Sequence, residues 1–501
     1  MAIELSNIKF TDQDDIVPVF GVEEIVNTGI ANTLAGNDVI TGTGGDYGFK
    51  NVGTLNTDDG NDTITGTGTI AGVSIDYLSS LDTGEGNDVF TGTGGDSGFR
   101  NGGTFNTSDG NDIITGTGTY GFDNVGTFNT DDGNDTITGT GTIYGIITAY
   151  GGTIDTGKGN DVITGTGTNG ILNDGPGTFN TGDGNDIITG TGTTNGIING
   201  GTINTGNGED SIISQGKFVN SYNEFFDEGG GVFLGDGNDS IIVIDIDSTD
   251  FPNRALENSS IIDMGDGNDT ITSNGVIYNE STINTGNGED SIIFQGYLSH
   301  YTGVVSNYGG VFLGDGNDSI IVDIIIDTDF PGSALMNFNA IETGDGNDII
   351  SSTGAIYNED IINTGKGDDS IIVDGGVDGT GTGYGIYNNG GNINTGDGND
   401  SIIANEGFKS GPNSSGAWFL GEGEDYIKGF GSGDFYGGNG NDTLELTPGT
   451  YTVGIWGEGG ESPIFTKGSQ LMITSEFEKL IAGGTIYNFT SLTAGQIIVV
   501  A

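Results

Sequence analysis

The 501 residues include 100 glycines and no cysteine, and 71 acidic against 11 basic residues leave a formal charge of −60. Such a balance excludes nucleic acid and anionic membrane surfaces as partners held by bulk electrostatics, and the missing cysteines exclude disulfide frameworks and thiolate metal centres. No apolar run of about 18 residues marks a membrane span, and Asp12, Asp14 and Asp15 stand where a Sec-type leader would need a basic start and an apolar stretch.

Residues 1–30 alternate loosely between apolar and polar and are expected to form an N-terminal cap. Beyond them a short motif recurs, seen most clearly as Thr181-Gly182-Asp183-Gly184-Asn185-Asp186-Ile187-Ile188. A glycine turn that passes through φ > 0 and then opens into β-branched residues reads as a corner between two strands. Its G-[N/E/D]-D core occurs 17 times, ending at Asp38, Asp62, Asp88, Asp112, Asp135, Asp161, Asp186, Asp210, Asp239, Asp269, Asp290, Asp318, Asp348, Asp369, Asp400, Asp425 and Asp442. Successive copies are 17 to 31 residues apart, with a mean near 25. High acidity with much glycine also describes disordered chains, but disorder does not keep a register.

That register extends beyond the motif. Seven residues before the aspartate the side chain is apolar, as at Leu55, Phe105, Ile154, Ile283 and Trp418, and two residues after it the chain carries Ile in all copies but those with Phe90 and Leu444. These are inward strand positions that stack coil on coil. The fold expected is therefore all-β: a right-handed parallel β-solenoid, of β-helix or β-roll type, with about 25 residues per coil, roughly 17 coils and a cap at each end. Each coil is strand, acidic corner, strand and a variable return such as Asn169-Gly170-Ile171-Leu172-Asn173. Residues 31–207 are Thr-Gly-rich coils, residues 208–442 contain duplicated three-coil units of about 79 residues, and residues 443–501 lose the motif and read as a C-terminal β cap.

The motif resembles the calcium-binding nonapeptide G-G-x-G-x-D-x-U-x of the RTX (repeats-in-toxin, haemolysin-type) family. Gly437-Gly438-Asn439-Gly440-Asn441-Asp442-Thr443-Leu444-Glu445 matches it in full; most other copies place Thr or a larger residue first, and four replace the second glycine with Leu34, Asp58, Ser108 and Asp131. The resemblance implies calcium ions held by the 17 aspartates and by carbonyl oxygens of the glycine turns, among them Gly182, Gly184, Gly235, Gly237, Gly265, Gly267, Gly314, Gly316, Gly344, Gly346, Gly396, Gly398, Gly438 and Gly440. Calcium takes six to eight hard oxygen ligands, and stacked carboxylates at coil spacing need a counter-charge. One motif per coil, where the family's β-roll has two, predicts a single column. The last 59 residues also resemble the uncleaved C-terminal segments of RTX proteins exported by type I secretion. The resemblance thus implies a secreted protein, extracellular or at the cell surface, that meets a type I exporter in passing and folds on calcium afterwards.

Two other functions can be weighed from residues. Polysaccharide lyases and epimerases occur on β-helices, but their chemistry needs a base and a cation beside the sugar carboxylate, and the chain offers one histidine, His300, and two arginines, Arg100 and Arg254, many coils apart. The acidic sets Asp245, Asp247, Asp250 and Asp323, Asp327, Asp329 read as loop acids or further calcium ligands, so no enzyme is expected. Thr three and five residues past the aspartate recurs in seven consecutive coils, from Thr41 and Thr43 to Thr189 and Thr191. This array resembles the T-x-T faces of ice-binding solenoids and would also suit a polysaccharide surface. Against it, Thr favours any strand, and Gly42 and Gly44 share the side of the inward Ile40, leaving little core beneath. The reading that remains is a structural or adhesive solenoid, with calcium as ligand and a cell-surface or matrix polysaccharide, or another copy of the chain, as partner.

Overall fold

The computed structural model describes residues 2–17, 23–221, 230–244, 254–298, 305–326, 333–376, 383–411, 416–457 and 462–501. Among these the helical segments are two single 3-10 turns, Leu5–Asn7 and Phe489–Ser491, and no helix is long and apolar enough to cross a membrane. The strands stack in parallel as a β-solenoid with about 25 residues per turn. The chain divides into two compact units, Met1–Asp250 with Ala255–Gly265, and Phe251–Arg254 with Asp266–Ala501.

In the first unit a coil runs through a short strand (Thr54–Asn56), the acidic corner, a second strand (Thr63–Thr67), a third (Ala71–Ile75) and a second corner that leads into the next short strand, Ser80–Asp82. Like residues face one another across coils: Leu55 lies opposite Leu81, Ile64 opposite Phe90 and Thr65 opposite Thr91. From Ile113 to Asn199 the second and third strands merge into continuous strands of 12 or 13 residues, so much of the variable return is itself sheet. The positions seven before and two after the aspartate are fully buried, and their aromatic members stack directly, with Phe105 and Phe128 centroids 4.5 Å apart. Each such side chain contributes about 1.5–3 kcal/mol of hydrophobic stabilisation.

The described N-terminal residues extend the parallel stack over the first coil. Ile3–Glu4 pairs in parallel with Ile25–Asn27, Ile16–Val17 pairs with Val39–Thr43, and the Asp15 N–H donates to Asp38 Oδ1 at 2.7 Å. Beneath the Thr-Gly segments the body narrows to two layers of backbone. A Cβ built on Gly42 would sit 2.0 Å from the Gly48 carbonyl oxygen, so the two strands of that coil touch through glycine with no side chain between them. The glycines therefore close the layer that Thr parity leaves empty.

The four corners without the second glycine keep the turn. Leu34, Asp58, Ser108 and Asp131 take φ values of 67, 55, 59 and 54°. An Asx residue two positions earlier supports each: the Leu34 N–H donates to Asn32 Oδ1 at 2.7 Å, and Asn129 Nδ2 donates to Asp131 Oδ1 at 2.6 Å. Left-handed backbone costs a residue with a Cβ about 1–2 kcal/mol. Leu34→Gly is accordingly expected to raise stability by about 1 kcal/mol, read as a higher urea midpoint at unchanged m-value; a lower midpoint would show that the Leu34 side chain outweighs the strain.

In the second unit the same positions form the core, from Ile283 to Trp418 and Phe435, whose rings stack at 4.3 Å. Its C-terminal end changes topology. Gly449–Trp456, Ser462–Lys467, Gln470–Ser475 and Ile497–Val500 pair antiparallel, while Lys479–Ala482 adds in parallel to Thr443–Leu446 and then turns back antiparallel against Thr485–Asn488. Gln470–Ser475 also adds in parallel to Gly433–Gly440, and the antiparallel partners of these last parallel strands occupy the edge that another parallel coil would otherwise take.

Candidate functional site

Each acidic corner forms because its hydrogen bonds run along the stack. In the coil of Asp186, the Gly184 N–H donates to the Asn207 carbonyl of the next coil at 2.8 Å, and the Asn185 N–H donates to Asn160 Oδ1 of the preceding coil at 2.8 Å. The Asp186 N–H donates to Asp210 Oδ1 at 2.8 Å, and the Ile187 N–H donates to the Asp161 carbonyl at 2.8 Å. The same bond between successive aspartates links Asp38, Asp62, Asp88, Asp112, Asp135, Asp161, Asp186, Asp210 and Asp239 in the first unit, at 2.7 to 2.8 Å. In the second unit it links Asp269, Asp290, Asp318, Asp348, Asp369, Asp400, Asp425 and Asp442, at 2.8 to 2.9 Å. Beyond Asp442 the cap supplies the acceptor: its N–H donates to Glu478 Oε2 at 2.8 Å.

These carboxylates are buried, none more than 1% exposed. One oxygen takes the backbone N–H of a neighbouring coil, as given above; the other differs from corner to corner. Oδ2 lacks a hydrogen-bond partner at Asp62, Asp112, Asp135, Asp161, Asp186 and Asp210 in the first unit and at Asp290, Asp318, Asp369, Asp400 and Asp425 in the second. The Thr in the first motif place belongs to this site. Thr343 Oγ1 donates to Asp348 Oδ2 at 2.5 Å and lies 3.2 Å from the Thr364 carbonyl of the next coil, Thr83 Oγ1 donates to Asp88 Oδ2, and Thr181 Oγ1 lies 3.3 Å from the Thr205 carbonyl of the next coil. At Asp318 and Asp425 the first place holds buried Leu313 and Leu420, so hydrocarbon replaces the hydroxyl.

Burial pushes the acids up from the ordinary carboxylate range: Asp62, Asp112 and Asp161 to about 6, Asp186, Asp318, Asp369 and Asp425 to about 7, and Asp88 and Asp135 to about 8. Hydrogen bonds to the ionised form pull each back only in part, and at Asp88, Asp135, Asp186 and Asp318 the neighbouring aspartates add to the upward push. An ionised column of this kind needs a proton or a cation on the second oxygen.

A hard cation fits the atoms present. The orphaned Oδ2 atoms and the glycine carbonyls are all oxygen donors, the type calcium takes. The Gly182 and Gly184 carbonyls point along the stack, so that a Cβ on Gly206 or Gly208 would lie 1.9 and 1.6 Å from them. Gly235, Gly237 and Gly265 repeat this approach in the first unit, as do Gly314, Gly316, Gly344, Gly346, Gly396, Gly398, Gly438 and Gly440 in the second, while Gly267 presents its carbonyl to Gly288. Among the described residues no three acidic or histidine side chains converge on one point. Any ion would therefore take carbonyl oxygens for most of its ligands.

A second buried polar column went unrecognised in the sequence reading. At the opposite corner Asn27, Asn51, Asn101, Asn124, Asn173, Asn199, Asn220 and Asn258 in the first unit, and Asn279, Asn307, Asn337, Asn358 and Asn388 in the second, are buried. Asn307 Nδ2 donates to Asn337 Oδ1 at 2.9 Å, and Asn337 Nδ2 to Asn358 Oδ1 at 2.8 Å and to the Ile361 carbonyl at 2.9 Å. The signal was there, since Asn stands 11 residues before the motif aspartate in eleven copies, ten of them members of this column and the eleventh Asn389, beside its member Asn388. Asn337→Ala removes both donated bonds and leaves the Asn307 amide only its bond to the Ala340 carbonyl at 2.9 Å, so a loss of about 3 kcal/mol is expected in urea unfolding; a loss under about 0.5 kcal/mol would mean that the amide ladder is not a stabilising contact.

Of the other residues weighed for chemistry, Arg100 pairs with Asp123 at 3.7 Å and Arg254 lies over the Tyr278 ring. Asp323 accepts from Thr353 Oγ1 at 3.4 Å. His300, Asp245, Asp247, Asp250, Asp327 and Asp329 lie outside the described residues. The Thr array is in register across seven coils of the first unit, Thr41 opposite Thr65 and onward to Thr164 opposite Thr189, with a parallel column from Thr43 to Thr191.

No family model and no curated protein matches the chain. Among solved structures, a hyperactive, Ca2+-dependent, β-helical antifreeze protein from an Antarctic bacterium is similar over 80% of this chain and 82% of its own, at 18% identity and a TM-score of 0.30. At that overlap neither the calcium dependence nor the antifreeze activity of that protein transfers to this chain.

Proposed function

We propose that the chain is a calcium-binding β-solenoid with a structural or adhesive role at the cell surface or in the extracellular matrix, exported by a type I system and folded by calcium once outside. The observation that carries this reading is the buried second oxygen of the eleven aspartates named above, from Asp62 to Asp425, at which no hydrogen bond ends. The 17 motif aspartates and the turn glycines named above are the proposed ligands. When bound, calcium supplies the positive charge that lets these carboxylates stay ionised. The chain's own contribution is to aim one carboxylate oxygen at a backbone N–H and leave the other for the ion. Equilibrium dialysis at neutral pH tests it: several calcium ions per chain are expected, and none bound at millimolar calcium would end the proposal. No catalytic role is proposed.

A second reading, binding to ice or to a polysaccharide surface, rests on the two Thr columns carried by the glycine-closed layer. Its test is retention of the calcium-loaded protein in a growing ice front, with Thr138→Leu/Thr164→Leu expected to abolish it. Equal exclusion of wild type and variant from the ice would dismiss the ice form of that reading.

A further inference from the structure

The outer side of the second unit carries a column of aromatic rings that neither the aspartate corners nor the core requires. Tyr278, Tyr357 and Tyr387 occupy the strand position immediately before the ladder asparagine, on the outward side. Across coils Tyr278 faces Ser306, Ser306 faces Met336, Met336 faces Tyr357, Tyr357 faces Tyr387 and Tyr387 faces Lys409. Where the strand position is Ser306 or Met336, the ring comes from two residues further on, Tyr308 and Phe338. The column is thereby unbroken: Tyr278 to Tyr308 5.4 Å, Tyr308 to Phe338 4.5 Å, Phe338 to Tyr357 5.6 Å and Tyr357 to Tyr387 5.2 Å between centroids. A cation closes each end, the Arg254 guanidinium 3.4 Å from the Tyr278 ring and Lys409 Nζ 4.4 Å from that of Tyr387.

Stacking of coils does not by itself call for these rings. In the first unit the residue before the ladder asparagine is Lys50, Arg100, Asp123, Leu172, Ile198 or Val219, and the coils pair there in the same parallel register. The rings in the second unit instead place apolar area on a surface that elsewhere is strongly acidic, and Tyr308 is 45% exposed. Exposed aromatic area rimmed by polar groups marks interaction sites. Only the Tyr308 and Phe338 rings are near parallel, at 6°. The pairs at 52, 52 and 81° leave ring faces that the neighbouring ring does not cover.

The rim is made of hydrogen-bonding oxygens and amides. Tyr278 donates its hydroxyl to Glu280 Oε1 at 2.8 Å, and Tyr357 donates to Glu359. Asn389 Nδ2 donates to Glu359 Oε1 and to the Tyr357 hydroxyl, both at 2.9 Å. Apolar ring area beside carboxylate acceptors suits a molecule with flat C–H faces edged by hydroxyl donors. The formal charge of −60, and the engagement of both local cations on ring faces, disfavour a polyanion.

We infer that this ridge binds a neutral polysaccharide chain laid along the coils of the second unit. The inference rests on the adhesive reading above and names its partner and its surface. The test is co-sedimentation of the full chain, in calcium, with insoluble cellulose, chitin and a neutral β-1,3-glucan, and gel retardation with alginate as the polyanion. The triple variant Tyr278→Ser/Tyr357→Ser/Tyr387→Ser uses the residue that already occupies this register at Ser306. At least a tenfold loss of retention on a neutral polymer is expected, with far-UV circular dichroism and the response to calcium unchanged. Should the variant lose its fold, Tyr387→Ser alone with Lys409→Gln is read the same way. Undiminished retention by the variants, no retention of wild type on any neutral polymer, or preference for alginate would overturn the inference. So would ridge-dependent self-association in sedimentation velocity, which would make a second copy the occupant. A wild type that ignores calcium yet loses glycan binding on substitution would fail the calcium reading alone.

Discussion

Chelation of calcium at pH 7.5 is expected to convert the compact β-rich chain into an expanded one, seen as loss of the β signal in circular dichroism and a large rise in hydrodynamic radius. The argument is electrostatic. Successive aspartates share a column in which the N–H of one donates to the Oδ1 of the next, so their carboxylates stand one coil spacing apart, about 5 Å. Neighbours repel there by roughly 1 to 3 kcal/mol per pair at effective dielectric constants of 80 to 20. Burial of each carboxylate adds a desolvation cost, which is why several of them sit near 7 or 8. Eight such pairs in the first unit and seven in the second repeat the penalty, whereas folded domains hold only about 5–15 kcal/mol in reserve. A chelated chain that kept its radius and its β signal at pH 7.5 would mean that the column does not depend on a cation.

Gly184→Ala should destabilise the chain strongly for a single added methyl group. Its φ of 154° is a backbone region that L side chains avoid, and a Cβ there would lie 1.5 Å from the Gly159 carbonyl oxygen of the preceding coil. The obstruction is backbone on both sides, held by the hydrogen bonds of two coils, so relief requires the coils to part. A cost of at least about 3 kcal/mol is expected, at the upper end of overpacking substitutions. Gly484→Ala is the comparison: its φ of 78° carries the same kind of strain, but nothing lies within 4 Å of the new Cβ, and about 1 kcal/mol is expected. Equal losses for the two variants, measured by urea unfolding in calcium, would show that coil-to-coil glycine contact contributes nothing beyond backbone strain.

The parts of the fold that the sequence revealed are those with a fixed distance from the motif. Leu55 and Ile64 were readable as core because seven before and two after the aspartate recur in coil after coil, and period-two alternation put them on the same side as one another. The glycine-closed layer was half readable: parity showed Gly42 facing inward, but only the approach of Gly48 from the other strand shows what fills the space. Residues 1–30 read as a cap because they lack the motif and alternate loosely; that Ile16–Val17 would pair in parallel with the first coil was not readable, since no motif marks their register. At the site, the aspartates were readable and their burial was not, since an acidic corner on a −60 chain reads naturally as a solvated edge. The asparagine ladder was missed although most of its members keep a fixed distance from the motif, because a polar side chain at a strand end suggests loop and not a buried ladder. The aromatic column was missed for a different reason: its rings come from two sequence positions, Tyr278 and Tyr308 being offset by two residues within their coils, so no single register displays it.

The measurement that bears most directly on the central claim is stability against pH with and without calcium. The folded-state values of about 6 to 8 for the column lie above the unfolded carboxylate range near 3.9. For the metal-free chain their contribution is then fully present below about pH 4 and lost as pH rises through 6 to 8, so it should be more stable at pH 5 than at pH 8. Calcium competes with the proton for the same oxygens, so the loaded chain should show the opposite slope, gaining stability from pH 5 to pH 8. Urea midpoints at both pH values, in chelator and in millimolar calcium, are predicted to cross; two curves that fall together toward pH 8 would contradict a cation on the aspartate column.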